Sequence, residues 1–528
     1  MNSLFTDFTD IEGQDSSQFI DRFLQQVSRF PQQTAVISAE GKISYAELAD
    51  RAGALANYLL TLGIGIETPV ATLLRSGIEQ IICQVAILLA GGSCVPLNVT
   101  SPDDRLNFML SEVRATYTLT DNVGALRSLS TRYITLGSYP LSTFSRTDFP
   151  GRFTGEHHRA YIMFTSGTTG KPKAVEVETR GILRLVVNAD YLPFSSEDRL
   201  GSISAPDFDA ILLEVWGALL NGAATVIIDR DVLLDPDELK SSFLRSGVSS
   251  ILVTPSLFNF ITNLCPDAFS SLSYLMIGGE AFNLQALRSL PLSAWPQNIY
   301  NVYGPTENTT YTLYYPIGVD DLQADSMPLG KPINQTSVYI LDEQQEQVAP
   351  GVQGEIYVGG EGVARGYMNR PELTAEKFIT CRISMGAEPI RLYKTGDLGW
   401  QREDGAFMYA GRADNQIKLQ GYRIEAEEVE IQLLNSGLLQ EAIVCAVKKE
   451  GDEGYLIAFV VPQAGPNFNS RKLLALLQQR LPPYMLPRIQ IVDAIPLNPN
   501  GKADRAKLLQ MYGQPQMLNT VNVTGQHL

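Results

Sequence analysis

The stretch of sequence that decides the fold reads YIMFTSGTTGKPKAV and covers residues 161–175. Its apolar start, Tyr161 to Phe164, is typical of a β-strand, and a Thr/Ser/Gly loop follows it, with Lys171 and Lys173 directly after. Glycines let a backbone approach an anion closely, and hydroxyl and ammonium groups donate to phosphate oxygens. A plain polar hairpin is the alternative reading. The spacing does not fit the G-x-x-x-x-G-K-[ST] Walker loop, so we predict a phosphate-binding loop of another kind.

The bulk composition indicates an acidic multidomain protein. A chain of 528 residues is too long for one hydrophobic core and predicts about two to four domains. The net charge of −16 argues against general binding to nucleic acid or to an anionic membrane, so an anionic nucleotide would need a local basic pocket. Five scattered cysteines, no apolar run of membrane-spanning length and no signal-like start favour a cytoplasmic protein. The adjacent His157 and His158 are expected to be a solvated loop pair without a metal role.

The order of patterns along the chain predicts an α/β fold with a hinged second domain. From about residue 66 to 300, short Val/Ile/Leu runs alternate with helical patterns, which is typical of βαβ units around a mainly parallel sheet. After about residue 325, short strands and turns indicate a small antiparallel subdomain. We therefore expect a large N-terminal domain over residues 1–413 and a small, mobile α+β C-terminal domain over 414–512. Residues 513–528 are polar and are expected to form a disordered tail.

Three further loops carry charged residues that could act on a nucleotide. Glu307 follows a Gly-Pro turn and could hold Mg²⁺ beside phosphate oxygens. Asp397, in YKTGD, could accept both hydroxyls of a ribose, and Lys502 stands at the tip of a Pro/Gly loop near the C-terminus. Taken singly, each could equally be an ordinary exposed turn or loop residue.

Six segments of the chain, taken together and in order, resemble an adenylation domain of nonribosomal peptide synthesis. That family belongs to the adenylate-forming superfamily, which also contains acyl-CoA synthetases and luciferases. The resemblance runs from about residue 20 to 510 and rests on residues 161–175, 301–307, 354–378, 393–397, 411–430 and 500–502.

The resemblance implies a role for each segment. The nucleotide-binding residues would be Thr165, Ser166, Gly167, Thr168, Thr169, Gly170, Lys171, Gly279, Glu280, Ala281, Asn301, Val302, Tyr303, Gly304, Thr306, Asp397 and Arg412. Lys502, Thr165 and Lys173 would be catalytic, Glu307 would be the Mg²⁺ ligand, and Asp414 would be the hinge. The implied reaction joins a carboxylate to the AMP portion of ATP and releases pyrophosphate, after which a phosphopantetheine thiol takes the acyl group.

The resemblance also implies an amino acid as the substrate. Asp209, in Phe-Asp-Ala, matches the family position that binds the α-ammonium group, and a buried ammonium needs a paired anion. The alternative is that Asp209 caps a helix beginning near Ile211. The side-chain pocket would be lined by Ala210, Leu213, Val253, Met276, Gly278, Val302, Thr310 and Tyr311, with Lys502 at its mouth. This lining favours a branched aliphatic side chain, with an aromatic one next.

The length of the chain beyond Lys502 leaves no space for a carrier domain, and a condensation motif is absent. We therefore expect a freestanding adenylating enzyme, or an excised domain, that loads a carrier protein in trans. Two alternatives stay open: an acyl- or aryl-CoA ligase, which Asp209 disfavours, and a non-catalytic scaffold that binds nucleotide or carrier protein.

Overall fold

The structure is a computed structural model. It describes residues 19–121, 127–137, 149–150, 154–167, 169–282, 284–324, 326–383, 388–447, 454–463, 468–497 and 503–512. Lys502, Thr168 and the tail 513–528 therefore lie outside the described residues.

A six-stranded sheet organises the first part of the chain. Its elements are α1 Phe19–Arg29, β1 Thr34–Ser38, β2 Gly41–Ser44, α2 Tyr45–Thr61, β3 Pro69–Leu73, α3 Ile78–Leu89, β4 Ser93–Pro96, α4 Asp103–Val113, β5 Tyr117–Thr120, β6 Arg132–Thr135, β7 Arg159–Thr165, β8 Lys173–Glu178 and α5 Thr179–Val186. Strands β6, β5, β3, β4 and β7 run parallel in that order, and β8 closes the sheet antiparallel to β7. Strands β1 and β2 join a second sheet.

The second sheet has nine strands and takes most of its members from the next part of the chain. The elements are β9 Arg199–Ser202, a π-helical turn Leu212–Trp216, α6 Gly217–Leu219, β10 Ala224–Ile227, α7 Arg230–Leu233, α8 Pro236–Ser246, β11 Ser250–Val253, α9 Pro255–Leu264, β12 Tyr274–Gly278, α10 Leu284–Ser289, β13 Asn298–Tyr303, β14 Leu313–Pro316 and β15 Lys331–Pro332. The order is β15-β14-β13-β12-β11-β9-β10-β1-β2, parallel from β13 to β1. The predicted βαβ organisation is confirmed.

Helix boundaries follow the capping chemistry of the sequence. Asp235 accepts a hydrogen bond from the backbone N–H of Glu238, and Pro236 takes the first position of α8. The helix ends at Gly247, whose left-handed backbone satisfies the last turn. The same logic starts α2, where the Ser44 hydroxyl accepts from the Glu47 N–H.

A five-stranded antiparallel sheet and a compact C-terminal module complete the chain. The sheet is formed by β16 Thr336–Leu341, β17 Gly354–Gly360, β18 Phe378–Cys381, β19 Ile390–Gln401 and β20 Phe407–Arg412, with α11 Pro371–Lys377 before β18. The module contains β21 Gln416–Leu419, β22 Tyr422–Glu425, α12 Ala426–Leu434, β23 Leu439–Val447, β24 Tyr455–Pro462, α13 Ser470–Gln478, β25 Arg488–Ile491 and α14 Arg505–Tyr512. The fold class predicted from the sequence is therefore confirmed.

The largest apolar core is shared by the two large sheets and by α1, α2, α3 and α5. Inside it, the Trp216 indole N–H donates to the Tyr161 hydroxyl at 2.7 Å, and that hydroxyl donates to Gln84 Oε1 at 2.9 Å. This chain of hydrogen bonds ties the π-helical turn to β7, the strand that leads into the predicted phosphate loop. Among the described helices, none combines the length and the apolar character needed to cross a bilayer.

One minor expectation is wrong. His157 is exposed, but His158 is buried, and its Nε2 lies 3.3 Å from the Gly92 carbonyl oxygen. Burial lowers the pKa of His158, because the charged form loses its hydration. The pair is therefore half solvated and half part of the packed interior.

Candidate active site

The predicted phosphate loop is the turn of the β7–β8 hairpin. Strand pairing places Thr165 opposite Lys173, so the loop spans residues 166–172. A Cβ atom at Gly167 would collide with the Lys171 carbonyl oxygen, and Gly170 has φ = 77°. Within the described ranges, the buried Thr165 hydroxyl has no hydrogen-bond partner. The loop thus requires its glycines and holds one hydroxyl ready for a ligand.

The outer residues of the loop have different environments. The Thr169 and Lys171 side chains are exposed, and Lys171 Nζ lies 5.2 Å from the centre of the Phe108 ring. Lys173 is instead buried, with Nζ 3.6 Å from Glu307 Oε1. Burial and the neighbouring Arg423 lower the pKa of Lys173. Lys173 is therefore the loop cation that faces the interior of the site.

Glu307 is a fully buried carboxylate surrounded by donors and cations. It lies in the one-turn helix Thr306–Asn308 and is 0% exposed. Its oxygens accept hydrogen bonds from the Tyr367 hydroxyl and from Arg423 Nη1, each at 2.6 Å. Burial opposes ionisation, but Arg423 and Lys173 outweigh it and hold the pKa of Glu307 at about 2.

These surroundings fit the predicted role of Glu307 as a magnesium ligand. Among the residues that the structure describes, no three His, Cys, Asp or Glu side chains form a metal site. Mg²⁺ is commonly held by one or two carboxylates together with substrate phosphates, so a lone ionised carboxylate beside a phosphate loop is a suitable donor. The cations that now face Glu307 show that this position favours positive charge.

Asp397 gathers the residues expected to hold the ribose. It is buried on β19, opposite Arg412 on β20. Its oxygens accept from Arg412 Nη1 and from the Tyr303 hydroxyl, each at 2.6 Å, and Lys418 Nζ lies 3.5 Å away. Burial opposes the charged form, but Lys418 and Arg412 offset it and lower the pKa of Asp397. The carboxylate is thus kept ionised for a diol.

The residues expected to flank adenine lie at the ends of β12 and β13. The parallel register pairs Gly278 with Val302 and Ile277 with Asn301. A Cβ atom at Gly278 would press against the Val302 carbonyl, and Gly279 follows with φ = 92°. The remaining members of this predicted set are placed nearby: Asn301 donates to the Pro328 carbonyl at 2.7 Å, Glu280 accepts from the Ser256 hydroxyl at 3.0 Å, Gly304 packs against the Thr310 carbonyl, and Ala281 is exposed.

Asp209 lies beside the Glu307 segment. Burial raises its pKa to about 6, against the effect of a hydrogen bond from the Thr306 side chain. The Thr310 hydroxyl donates to the Asp209 backbone carbonyl at 2.9 Å. In the described chain, the π-helical turn that begins after Ile211 has no side-chain cap, so the capping role considered for Asp209 is not seen.

The described residues of the predicted pocket are buried, and five of them belong to two apolar clusters. Leu213, Met276, Val302 and Tyr311 pack in the large core, and Val253 packs in a neighbouring cluster. Ala210 and Thr310 are also buried. The structure thus places four of the predicted residues in the large core and Val253 in a second cluster.

The C-terminal module is docked on this site through β21, β22 and α12. The Ser166 hydroxyl donates to the Arg423 carbonyl at 2.7 Å, and the Gly167 N–H donates to Glu428 Oε2 at 3.0 Å. Glu428 Oε1 also accepts from Arg105 Nη1 at 2.5 Å. The Gly421 N–H donates to Glu280 Oε1 at 2.6 Å. We call residues 418–428 the docking segment.

The docking segment engages the groups that the sequence assigns to the nucleotide. Arg423 donates to Glu307, the predicted metal ligand, and Glu428 accepts from the Gly167 N–H of the predicted phosphate loop. Lys418 lies 3.5 Å from Asp397, the predicted ribose ligand. Sequence reasoning included this segment in the resemblance but gave Lys418, Arg423 and Glu428 no role. Their charges, opposite to those of the groups they contact, are the signal that could have found them.

The predicted hinge lies where the chain leaves the five-stranded sheet. Asp414 stands between β20 and β21 and accepts from Arg412 Nε and Nη2 at 2.5 and 2.7 Å. Its backbone position and its pairing with a ribose-site arginine are compatible with a pivot, which stays a prediction.

Comparison with known proteins identifies the family. A model of the AMP-binding enzyme family matches residues 23–368, and a model of the AMP-binding enzyme C-terminal domain matches residues 428–502. Nonribosomal peptide synthetase asaC of Aspergillus flavus is 37% identical over 495 residues, 93% of this chain and 48% of that protein. Aldehyde reductase lnbA of the same organism is 35% identical over 500 residues, 93% of this chain and 49% of that protein.

A solved structure agrees with these relatives. Holo-PA1221, an NRPS protein containing adenylation and PCP domains and bound to a vinylsulfonamide inhibitor, matches with a TM-score of 0.84 at 31% identity. The match covers 94% of this chain and 84% of that one. The fold and the site therefore define an adenylate-forming enzyme, an ATP-dependent ligase of nonribosomal-peptide-synthetase type. The chain belongs to the AMP-binding enzyme family, and it spans about half the length of the curated relatives named above.

Proposed function

We propose that this chain activates an L-α-amino acid with an apolar side chain, a branched aliphatic one first and an aromatic one next, and passes it to the phosphopantetheine thiol of a carrier protein in trans. The observation that carries the proposal is the position of Asp209 beside Thr306 and Glu307. A buried carboxylate there would pair with an α-ammonium group and place the substrate carboxylate close to the phosphate loop. A fatty or aryl acid would leave that anion unpaired.

In the first step, a substrate carboxylate oxygen attacks the α-phosphorus of ATP, and the bond from that phosphorus to the pyrophosphate oxygen breaks. The Gly167 amide, the Thr165 hydroxyl and Lys173 would hold the departing phosphates. Asp397 would hold the ribose hydroxyls, and Lys502, outside the described residues, would neutralise charge between the two reacting anions. A magnesium ion held by Glu307 would supply further charge neutralisation at the phosphate oxygens.

In the second step, the carrier thiol loses its proton and its sulfur attacks the acyl carbon of the aminoacyl adenylate. The bond between that carbon and the phosphate oxygen breaks, and AMP leaves. The docked C-terminal module supports two orientations, because its docking segment fills groups that the first step needs. Adenylation therefore requires this module to rotate, so that the docking segment leaves the site and Lys502 of the same module can enter it, in the manner of hinge-type closures.

The test is ATP–pyrophosphate exchange across the common amino acids and several aryl acids. We expect exchange with one or a few uncharged amino acids, and we expect Asp209→Asn to abolish it. Asp207→Asn is the matched control, because Asp207 is two residues away, also has a pKa of about 6 from burial, and hydrogen-bonds Asn98 at 3.1 Å instead of facing Thr306. Exchange with aryl acids alone would favour the CoA-ligase alternative, and no exchange with any acid would favour the scaffold.

Some curated relatives carry a different overall activity. Two proteins of Aspergillus flavus at 34–35% identity are named aldehyde reductases, and this chain spans 47–49% of their lengths. The same adenylation chemistry would then feed a reduction of the carrier-bound thioester. Detection of the aminoacyl thioester by mass spectrometry of the carrier tests the step common to both outcomes.

A further inference from the structure

The two carboxylate oxygens of Glu307 have different partners in the structure. Oε1 accepts a hydrogen bond from the Tyr367 hydroxyl at 2.6 Å and lies 3.6 Å from Lys173 Nζ. Oε2 accepts from Arg423 Nη1 at 2.6 Å. Tyr367 and Lys173 precede the predicted hinge in the chain, whereas Arg423 belongs to the docking segment. In the rotation proposed above, Oε2 therefore loses its partner, while Oε1 keeps both of its own.

The Tyr367 side chain is fixed in place by the hairpin that carries the predicted phosphate loop. Tyr367 forms an antiparallel bridge with Val175, which lies on β8 of that hairpin. The Tyr367 N–H donates to the Thr374 hydroxyl at 3.0 Å, and its ring packs edge-on against Phe378, with 5.4 Å between the ring centres. The residue is 3% exposed. The phenol therefore keeps its position whether or not the docking segment is present, because none of these contacts involves that segment.

Further contacts direct the phenol at one oxygen of Glu307. The Ala364 N–H donates to the Glu307 backbone carbonyl at 2.8 Å, so residues 364–367 hold both the main chain and the side chain of this acid. The Tyr393 hydroxyl lies 3.4 Å from the Tyr367 hydroxyl and can donate to it. Because a carboxylate only accepts hydrogen bonds, the Tyr367 proton points to Oε1. Lys173, at 3.6 Å, is too far to form a hydrogen bond with Oε1 and does not fix it alone.

This division of the carboxylate limits how Glu307 can bind a metal ion. With Oε1 engaged by Tyr367, only Oε2 is left for a cation, so coordination by Glu307 would use a single oxygen. Mg²⁺ demands near-octahedral geometry at about 2.0–2.1 Å, whereas Ca²⁺ takes more ligands at about 2.3–2.6 Å and accepts both oxygens of one carboxylate. A carboxylate restricted to one oxygen therefore suits Mg²⁺ better than Ca²⁺.

We propose that Tyr367 is a positioning residue that reserves one oxygen of Glu307 and thereby makes the nucleotide site select Mg²⁺ over Ca²⁺. This inference rests on the proposed function, in which Glu307 is the metal ligand, and adds the residue that sets how that ligand binds. Tyr367 acts through Glu307 and does not itself contact the metal ion. Removing its hydroxyl frees Oε1, so that Glu307 can offer both oxygens to a larger cation.

The experiment is isothermal titration of the full chain with a non-cleavable ATP analogue, once with saturating Mg²⁺ and once with saturating Ca²⁺. The ratio of the Kd with Ca²⁺ to the Kd with Mg²⁺ measures the metal selectivity without turnover. We expect Tyr367→Phe to lower this ratio about tenfold, which is the effect of one hydrogen bond to a charged group. Binding with Mg²⁺ should weaken, and binding with Ca²⁺ should be equal or tighter. A purely structural role of Tyr367 would weaken both complexes alike, and that result would overturn the inference.

Tyr45→Phe is the matched control, because its hydroxyl is also buried but donates to the Ala223 carbonyl at 2.7 Å, within the large core. It should leave the ratio unchanged. If Tyr367→Phe changes the ratio by less than twofold while Glu307→Gln removes metal-dependent binding, the inference is wrong and Glu307 remains the metal ligand. If Glu307→Gln leaves metal-dependent binding intact, the metal role in the proposed function fails, and the inference fails with it.

Discussion

Neutralising Glu428 should strengthen nucleotide binding, although Glu428 lies in the C-terminal module. Its carboxylate is 0% exposed and accepts from the Gly167 N–H at 3.0 Å and from Arg105 at 2.5 Å. A hydrogen bond to a charged acceptor is worth about 1 kcal/mol more than one to a neutral acceptor. Glu428→Gln keeps the shape of the side chain and removes the charge from both contacts. We therefore expect the docked arrangement to lose about 2 kcal/mol.

That loss appears as a gain in affinity for ATP. A ligand that binds only the undocked arrangement has an apparent Kd equal to its intrinsic Kd divided by the fraction of molecules that are undocked. About 2 kcal/mol corresponds to roughly 30-fold in this equilibrium, which is the upper limit of the expected gain. Isothermal titration with a non-cleavable ATP analogue and Mg²⁺ measures it, and transfer to the carrier thiol should slow in the same variant.

The matched control is Glu427→Gln, on the same helix. Glu427 accepts from the Asn415 side chain at 2.9 Å and makes no described contact with the phosphate loop. Its Kd should equal that of the unmodified chain within twofold. An unchanged or weaker Kd for Glu428→Gln, with the thermal midpoint preserved, would refute the idea that the docking segment competes with the nucleotide.

Three more outcomes follow from the site. Burial raises the pKa of Asp209 to about 6. The KM for the amino acid should therefore rise about tenfold per pH unit below pH 6 and stay level above it. A flat profile between pH 5 and 7 would contradict the ammonium role. Arg184→Lys should lower the free energy of unfolding by about 2–4 kcal/mol in urea titrations, because several backbone carbonyls lose a donor. A loss below 1 kcal/mol would contradict the structural role of these hydrogen bonds. Tyr311→Phe should leave the free energy of unfolding equal or higher, because the Tyr311 hydroxyl makes no described hydrogen bond. Tyr191→Phe should lower it by about 1 kcal/mol, because the Tyr191 hydroxyl donates to the Leu185 carbonyl. A larger loss for Tyr311→Phe than for Tyr191→Phe would show that Tyr311 has a partner.

Local patterns in the sequence carried much of the fold. Alternation of apolar runs and helical stripes was enough to predict the parallel sheets, and the apolar start of residues 161–175 was enough to predict a strand that leads into the glycine loop. That this loop is also the turn of an antiparallel hairpin had been considered only as the alternative. These features depend on neighbours in the chain, so they can be read from the chain. The roles of the predicted ribose and metal residues came from resemblance, and the structure places Asp397 and Glu307 among buried ion pairs without testing those roles.

The contacts that sequence reasoning missed join residues far apart in the chain. Gly167 and Glu428 are separated by 261 positions, and Arg184 reaches carbonyls about 125 positions away. No local periodicity encodes such pairs, since they depend on how two finished units meet. The positive φ angles at Thr309 and Thr310 were equally hidden, because Thr is a poor indicator of left-handed backbone. The burial of His158 was not predicted for the same reason, because its partner is the distant Gly92 carbonyl.

The docking segment gives the proposed reaction a direction. While ATP is bound, the phosphates and their cation would occupy Gly167 and Glu307, and the segment is kept out. Once pyrophosphate departs, Glu428 and Arg423 can take its place with charges of matching sign. Their return would compete with pyrophosphate for the same groups, which would slow reversal of the proposed step without preventing it. An enzyme built this way would protect its reactive intermediate from reversal by refilling its own leaving-group site.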